Sequence, residues 1–145
     1  MTRVLDRLDL PAGLTDEAAT LVRTVRRLAT EVIAPRAAHY DRTALFPWDN
    51  VRSINELGLN AMFVPEAYGG QPVSYCAYLA CVRELTKACA ATGSVWSTSF
   101  HAMKPLIDFG SEEQKRRLLP KIAAGGLGAL GITEPHAGSD ATGMR

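Results

Sequence analysis

The residues best suited to chemistry lie near the end of the 145-residue chain, between Gly131 and Gly143. Thr133 offers a hydroxyl at the end of a short apolar run, and Ser139 offers another in a loop of small residues. Backbone N–H groups in such a loop can approach an anion or a flat ring closely, because small side chains leave room. The same composition is also typical of an ordinary turn. Residue types alone therefore leave a ligand-binding loop and a plain turn as alternatives.

Most of the chain before this segment has the apolar periodicity of α-helices. Between Leu14 and Val32, apolar residues recur at spacings of three or four, and the Thr15 hydroxyl can cap the first free backbone N–H groups. Pro35 is expected to kink or end this helix, with a short continuation through Tyr40 as the alternative. The cap therefore defines the start of the first helix, whereas its end stays open.

Four further helices are predicted from their caps and breakers. The second helix is predicted over 46–57 and is ended by Gly58, and a loop follows over 59–73. Ser74 caps the third helix, and Gly93 separates it from a fourth helix over about 95–109, which Gly110 ends. A Ser111–Gln114 capping box opens the fifth helix. We therefore expect residues 1–125 to form an N-terminal helical-bundle domain, and the fold class to be mainly α.

The character of the sequence changes after Gly125-Gly126. Leu127 to Thr133 is short, apolar and glycine-bearing, which predicts a β-strand leading into a tight loop. A single strand needs neighbours for its backbone groups and cover for its faces. We therefore expect residues 126–145 to be the first strand and the binding loop of a β domain that this chain does not complete.

Composition and charge argue against several classes of partner. The chain carries 16 basic and 15 acidic side chains, so it has no large fixed field to attract nucleic acid or an anionic membrane. No apolar run approaches the roughly 18 residues of a membrane span. Acidic residues between Met1 and Leu10 disagree with a mitochondrial leader, and the same stretch lacks the apolar core of a secretory signal. We therefore expect a cytoplasmic protein that binds neither nucleic acid nor membrane.

Cysteine and histidine spacing does not indicate a metal site. Cys76, Cys81 and Cys89 are interpreted as buried reduced thiols, because positions 81 and 89 are too far apart on one helix for a disulfide. The three histidines are scattered without paired ligand spacing. No metal ligand is predicted.

The order of residues between Gly131 and Gly143 favours a ligand-binding loop. Gly131-Ile132-Thr133-Glu134 and Gly138-Ser139-Asp140 resemble the signature of the acyl-CoA dehydrogenase family, with every fixed position met. Further motifs of that family precede it in the right order, namely Phe46-Pro47, Glu56-Leu57-Gly58-Leu59, Val64-Pro65-Glu66-Ala67-Tyr68-Gly69-Gly70, Gly110-Ser111-Glu112-Glu113-Gln114-Lys115 and Leu119-Pro120. The resemblance covers nearly the whole chain.

The resemblance implies that FAD is the cofactor and that the segment lies along it. Thr133 would hydrogen-bond the isoalloxazine ring near its reacting edge. The residues bordering the ring would be Leu130, Gly131 and Ile132. Gly138 and Ser139 would lie near the pyrophosphate, while Glu134 and Asp140 would organise the loop and take no part in acid–base chemistry.

The resemblance also implies substrate contacts with an acyl-CoA thioester. Ser139 would reach the thioester ligand, and Val95, Trp96 and Ser99 at the start of the fourth predicted helix would approach the acyl chain. For Trp96, a plain core position is an equal alternative. A bulky indole at that place would suit a short or unusually shaped acyl group.

The implied reaction is the removal of an α proton by a carboxylate base while the β hydrogen leaves as hydride to the flavin. In the family this base usually belongs to a C-terminal helical domain, so no catalytic residue is assigned to this chain. We expect the chain to be the N-terminal part of the enzyme and to be inactive by itself. The implied partners are a second copy, as a dimer or tetramer, and an electron-transfer flavoprotein.

Two other readings stay open. The same fold could carry a flavin oxidase or a flavin monooxygenase, since the residues that decide this lie outside the sequence. Alternatively, the chain could be a non-catalytic helical partner subunit that completes the sheet of another chain in a heteromeric dehydrogenase.

Overall fold

The computed structural model describes residues 14–144; the remaining residues of the predicted helical domain, 1–13, lie outside the described part of the chain. Its elements in chain order are α1 Asp16–Leu28, a π-helical turn Ala29–Ile33, α2 Ala34–Thr43, α3 Trp48–Glu56, 3₁₀ turns Leu59–Phe63 and Glu66–Tyr68, α4 Tyr75–Ala88, α5 Ala90–Phe109, α6 Glu112–Ala123 and a 3₁₀ turn Ala141–Gly143. The predicted mainly α fold is confirmed.

Helix starts follow the predicted caps. The Ala18 N–H donates to Thr15 Oγ1 at 3.2 Å, and the Ala77 N–H donates to Ser74 Oγ at the same distance. At the start of α6, the Gln114 N–H donates to Ser111 Oγ, and the Ser111 N–H donates to Gln114 Oε1. These bonds satisfy N–H groups that have no partner inside the helix.

The chain passes Pro35 without leaving the helical path. A π-helical turn, Ala29–Ile33, comes directly before α2, and Pro35 occupies the first turn of α2. The Ala34 N–H donates to the Ala29 carbonyl in the wider π-helical pattern, and the helical path continues through Pro35, which itself has no N–H to donate. The continuation through Tyr40 is thus the alternative that the structure supports, and it runs on to Thr43.

The predicted separator at Gly93 is wrong. The break between α4 and α5 falls at Cys89, whose φ of −154° and ψ of 109° are extended, and α5 already begins at Ala90. Gly93 lies inside α5, where an added Cβ would be 2.2 Å from Thr86 Oγ1 and 2.8 Å from Thr86 Cα. The glycine therefore permits α4 and α5 to approach closely, a function that local sequence does not distinguish from helix breaking.

The hydrophobic core lies between α1, α4 and α5, with the turn over 59–63 closing one side. The Phe63 ring is 5.1 Å from Tyr78 and 5.0 Å from Trp96, measured between centroids. Burial raises the pKa of the Cys81 thiol to about 12, so this thiol is inert. Cys81 and Cys89 are buried as predicted, but Cys76 is exposed in the first turn of α4.

One buried carboxylate joins α1 to α4. Glu84 accepts hydrogen bonds from Arg26 Nε at 3.1 Å and Arg26 Nη2 at 3.2 Å, and also from Arg83 Nε at 3.3 Å and Arg83 Nη2 at 2.9 Å. Burial alone would raise the pKa of Glu84, but these bonds outweigh it and hold the pKa below its usual value. The carboxylate is therefore charged at neutral pH and links two core helices.

The close helix crossing gives a first prediction. Gly93→Ala should destabilise the protein by about 2 kcal/mol, because overpacking outweighs the roughly 1 kcal/mol that alanine contributes inside a helix. Thermal unfolding measures this. Adding Thr86→Ala should not restore stability, since the Thr86 backbone atoms remain in the way. A variant as stable as the parent would contradict the packing role of Gly93.

Candidate functional site

The six candidate cofactor residues lie on one exposed segment, residues 130–139. Leu130 and Ile132 have 48 % and 59 % of their surfaces exposed, and Thr133 and Ser139 are also exposed. The strand expected over 127–133 is not formed: in the described part of the chain, the sole β pairing joins Glu134 to Ala137. The physical reason is that a strand is defined by hydrogen bonds to a neighbour, and no neighbouring strand is among the described residues.

The loop after Thr133 is held by its own hydrogen bonds. The Glu134 N–H donates to the Ala137 carbonyl at 3.0 Å, and the Ala137 N–H donates back to the Glu134 carbonyl at 3.3 Å. Pro135 and His136 occupy the tip, and Ala137 is buried beneath it. The loop therefore has a defined shape without help from a ligand.

Asp140 organises the end of the same loop. Its Oδ1 accepts from the Thr142 hydroxyl at 2.6 Å and from the Thr142 N–H at 3.2 Å. The hydroxyl bond is the main cause of a pKa below the usual aspartate value. This geometry fits the organising role inferred from the sequence, because a carboxylate engaged in this way is a poor proton acceptor.

Two hydroxyls on the segment have no partner. Neither the Thr133 nor the Ser139 hydroxyl makes a hydrogen bond within the described part of the chain. A Cβ built at Gly131 or at Gly138 would meet no atom within 4 Å, so the backbone there faces open space. The segment thus exposes two free hydroxyls, bare backbone at two glycines and two apolar side chains.

A chain of hydrogen-bonded side chains, buried at Trp96 and Asn60 and half-buried at Asn55, contacts the start of the segment. The Trp96 indole Nε1 donates to Asn60 Oδ1 at 3.0 Å, and Asn60 Nδ2 donates to Asn55 Oδ1 at 3.1 Å. Asn55 Nδ2 then donates to the Gly125 carbonyl at 2.9 Å, with a longer contact of 3.5 Å from Asn60 Nδ2 to the Gly126 carbonyl. We call these three side chains the amide anchor.

The amide anchor was not anticipated from the sequence. Asn60 and Trp96 are 1 % and 2 % exposed, so the indole bond to Asn60 Oδ1 lies out of water, whereas the bond from Asn60 Nδ2 to Asn55 is partly buried. Gly125 has a φ of +106°, which favours glycine, and a Cβ there would lie 2.8 Å from Asn55 Nδ2. A lone asparagine in a predicted loop carries no local signal of such a partner 66 residues away.

After the anchor, the segment crosses the face of α5. An added Cβ at Gly128 would be 2.8 Å from the Ala102 Cβ and 3.1 Å from the Ser99 carbonyl oxygen, so the two backbones are nearly in contact. A mainly apolar cavity of about 370 Å³ lies beside this crossing, lined by Phe46, Ser94, Val95, Thr98, Leu127, Gly128 and Ala129.

The predicted acyl-chain residues are divided between this cavity and the core. Val95 lines the cavity, whereas Trp96 and Ser99 are buried, with the Ser99 hydroxyl donating to the Val95 carbonyl at 3.5 Å. Sequence reasoning missed Thr98 and Phe46 as lining residues. Thr98 follows Val95 by three residues on the same helix, so helical spacing alone could have indicated it.

Other kinds of site find no support in this region. Among residues 14–144, no three His, Cys, Asp or Glu side chains converge as a metal site requires. None of the helices in the same part of the chain has the length and apolar character needed to cross a membrane.

Comparison with known proteins agrees with this architecture. The chain is 39 % identical over 133 residues to a 3-sulfinopropanoyl-CoA desulfinase of Paraburkholderia xenovorans, covering 91 % of this chain and 34 % of that protein. It is 41 % identical over 134 residues to a probable acyl-CoA dehydrogenase of Bacillus subtilis, covering 91 % and 35 %. The chain therefore spans about a third of the length of these relatives.

The fold is similar to that of a solved structure. A crystal structure of an acyl-CoA dehydrogenase complexed with FAD from Bacillus anthracis matches with a TM-score of 0.79 and 27 % identity, covering 99 % of this chain and 25 % of that one. The model of the acyl-CoA dehydrogenase N-terminal domain matches residues 15–126. With this match over most of the described helices, the chain belongs to the acyl-CoA dehydrogenase family.

Proposed function

We propose that this chain supplies the helical domain, residues 1–125, and the first flavin-contacting segment, residues 126–145, of an FAD-dependent enzyme that dehydrogenates an acyl-CoA thioester. The observation that carries the proposal is the pair of unpartnered hydroxyls at Thr133 and Ser139, placed on an anchored segment in the family's residue order. The FAD-complexed relative in structure supports the choice of cofactor.

The exposed surface of the segment fits a flat aromatic group carrying phosphates. Leu130 and Ile132 offer apolar contact to a ring, and open backbone at Gly131 permits close approach. Beyond the turn, Gly138 and Ser139 offer an N–H-rich loop with a free hydroxyl, which suits a pyrophosphate. These are the residues that would hold FAD.

Thr133 would stabilise charge that develops during the reaction. FAD, when bound, accepts a hydride from the β carbon of the acyl group and gains negative charge. A hydroxyl or N–H at Thr133 that is already oriented by the segment would donate to this charge without reorganisation. Ser139, near groups whose charge does not change, would contribute to binding and not to the chemical step.

The acyl group would lie near the cavity between α5 and residues 127–129. Val95 and Leu127 provide apolar walls, and a volume of about 370 Å³ is large enough for an acyl chain. Trp96 would support the cavity indirectly, because it packs against α4 and Phe63. Ser99 would support it by allowing the close crossing at Gly128.

The α-proton base is not assigned to the described residues. The Asp140 carboxylate is engaged with Thr142, and Glu134 lies 3.4 Å from His136 through its Oε2. We propose that the base comes from another part of the enzyme. A homo-oligomer and a flavoprotein electron acceptor, supported by the family resemblance, complete the proposal, together with the cytoplasmic location expected from the residue pattern between Met1 and Leu10.

A second candidate is desulfination of a sulfinated acyl-CoA. Its support is the 39 % identity to the 3-sulfinopropanoyl-CoA desulfinase. Both candidates use a CoA thioester, so the described residues do not separate them. The full-length protein should bleach its flavin with a saturated acyl-CoA under the first proposal, and should release sulfite from 3-sulfinopropanoyl-CoA without net bleaching under the second. If no acyl-CoA of any chain length bleaches the flavin, the dehydrogenase proposal is refuted.

Expression of the 145-residue chain by itself tests where the cofactor is held. We expect that it does not retain FAD, because exposed Leu130, Ile132 and Thr133 leave most of the ring in water. The measurement is flavin absorbance that co-elutes with the protein. Retention of one FAD per chain would contradict this expectation.

Two substitutions in the full-length protein separate the roles of the hydroxyls. Thr133→Val should lower the limiting rate of flavin reduction on the order of a hundredfold, or roughly 3 kcal/mol, because it removes a donor to developing charge. Ser139→Ala should weaken binding of cofactor or thioester with little effect on that rate. Rapid-mixing measurement of bleaching against substrate concentration distinguishes the two. An unchanged limiting rate in Thr133→Val would show that its assigned role is wrong.

A further inference from the structure

Asn60 is the central member of the amide anchor and makes the bonds that a buried asparagine requires. Its Oδ1 accepts from Trp96 Nε1, and its Nδ2 donates to Asn55 Oδ1 and lies 3.5 Å from the Gly126 carbonyl. With 1 % of its surface exposed, Asn60 has no access to bulk water. Burying an amide among aromatic and aliphatic residues is unfavourable unless its hydrogen bonds are made.

The partners of Asn60 belong to three different parts of the fold. Trp96 is in α5 beside the cavity wall, Asn55 is at the end of α3, and Gly126 is in the exit from α6. An apolar residue at position 60 would lose the bonds to Trp96 and Asn55 and the contact with the Gly126 carbonyl. The polar side chain of Asn60 therefore helps to orient the backbone that follows α6, in addition to any contribution to packing.

We propose that Asn60 is a positioning residue, which contacts the Gly126 carbonyl directly and holds the Gly125 carbonyl through Asn55, so that the segment from Leu127 to Ser139 is correctly placed for its ligand. The inference rests on the proposed function for the identity of that ligand. Thr133 follows Gly126 by seven residues, and none of these residues pairs with another strand within the described part of the chain. Three features fix the chain before Thr133: the anchor, the backbone bonds from the Gly125 and Gly126 N–H groups to carbonyls of α6, and the Gly128 contact with α5.

The domain offers a matched control in Asn50. This asparagine is also buried, accepts from Arg36 at 3.3 Å and donates to Thr92 at 2.8 Å, but it does not contact the exit from α6. Asn50→Leu and Asn60→Leu should both destabilise the domain, because each leaves buried polar partners unsatisfied. Only Asn60→Leu should alter the segment.

The test is hydrogen–deuterium exchange of residues 125–133 in the full-length protein, combined with the limiting rate of flavin reduction. We expect Asn60→Leu to raise exchange in this peptide at least severalfold and to lower the reduction rate on the order of tenfold to a hundredfold, since small displacements of a donor cost rate steeply. Asn50→Leu should change neither. Exchange that rises equally in both variants, or a reduction rate that is unchanged in Asn60→Leu, would overturn the inference.

Two further variants keep the test decisive if Asn60→Leu folds poorly. Asn55→Ala removes the bond to the Gly125 carbonyl from a half-buried position and should also raise exchange over 125–133. Asn60→Leu with Trp96→Phe removes both partners of the indole bond, so it should regain stability while the segment still exchanges fast. Slow exchange in both variants would refute positioning by Asn60. If no acyl-CoA reduces the flavin of the parent protein, the proposed function fails. Hydrogen–deuterium exchange over residues 125–133 still decides the role of Asn60.

Discussion

The close approach of α4 and α5 at Gly93 is the contact on which the arrangement of this domain depends. Because no Cβ separates the two helices there, Trp96 one turn later reaches the core between Phe63 and Tyr78. At that depth the indole N–H needs an acceptor, and Asn60 supplies it. A packing constraint between two helices thereby determines where the amide anchor can form.

The anchor connects the helical core of the protein to the exposed segment that is proposed to bind FAD. On one side lie buried helices joined by the Glu84 ion pairs and an aromatic cluster. On the other side lies a segment with free hydroxyls, open glycines and exposed Leu130 and Ile132. Sites on rigid supports hold donors at the accuracy that catalysis requires. The self-bonded turn at Glu134–Ala137 extends that order into the loop.

Local sequence signals predicted most of the helices, whereas contacts between residues far apart in the sequence could not be predicted from them. The caps at Thr15, Ser74 and Ser111 were predicted because an N-cap depends on residues within one turn. Gly93 was misread as a breaker, since a close helix crossing and a helix end require the same absent Cβ. The Asn60 bonds join residues up to 66 positions apart and leave no pattern in a single sequence. Candidate residues 130–139 were found by their order, whereas the strand they were assigned to depends on neighbours that the described residues do not include.

The most direct measurement of the central claim is the effect of FAD on the exchange of residues 127–140 in the full-length protein. Hydrogen–deuterium exchange is recorded after FAD is removed and again after it is restored. We predict that restored FAD slows exchange at residues 130–133 and at Gly138 and Ser139, with little change in α1. If FAD binds and slows exchange elsewhere while these residues exchange as before, the segment is not the cofactor site.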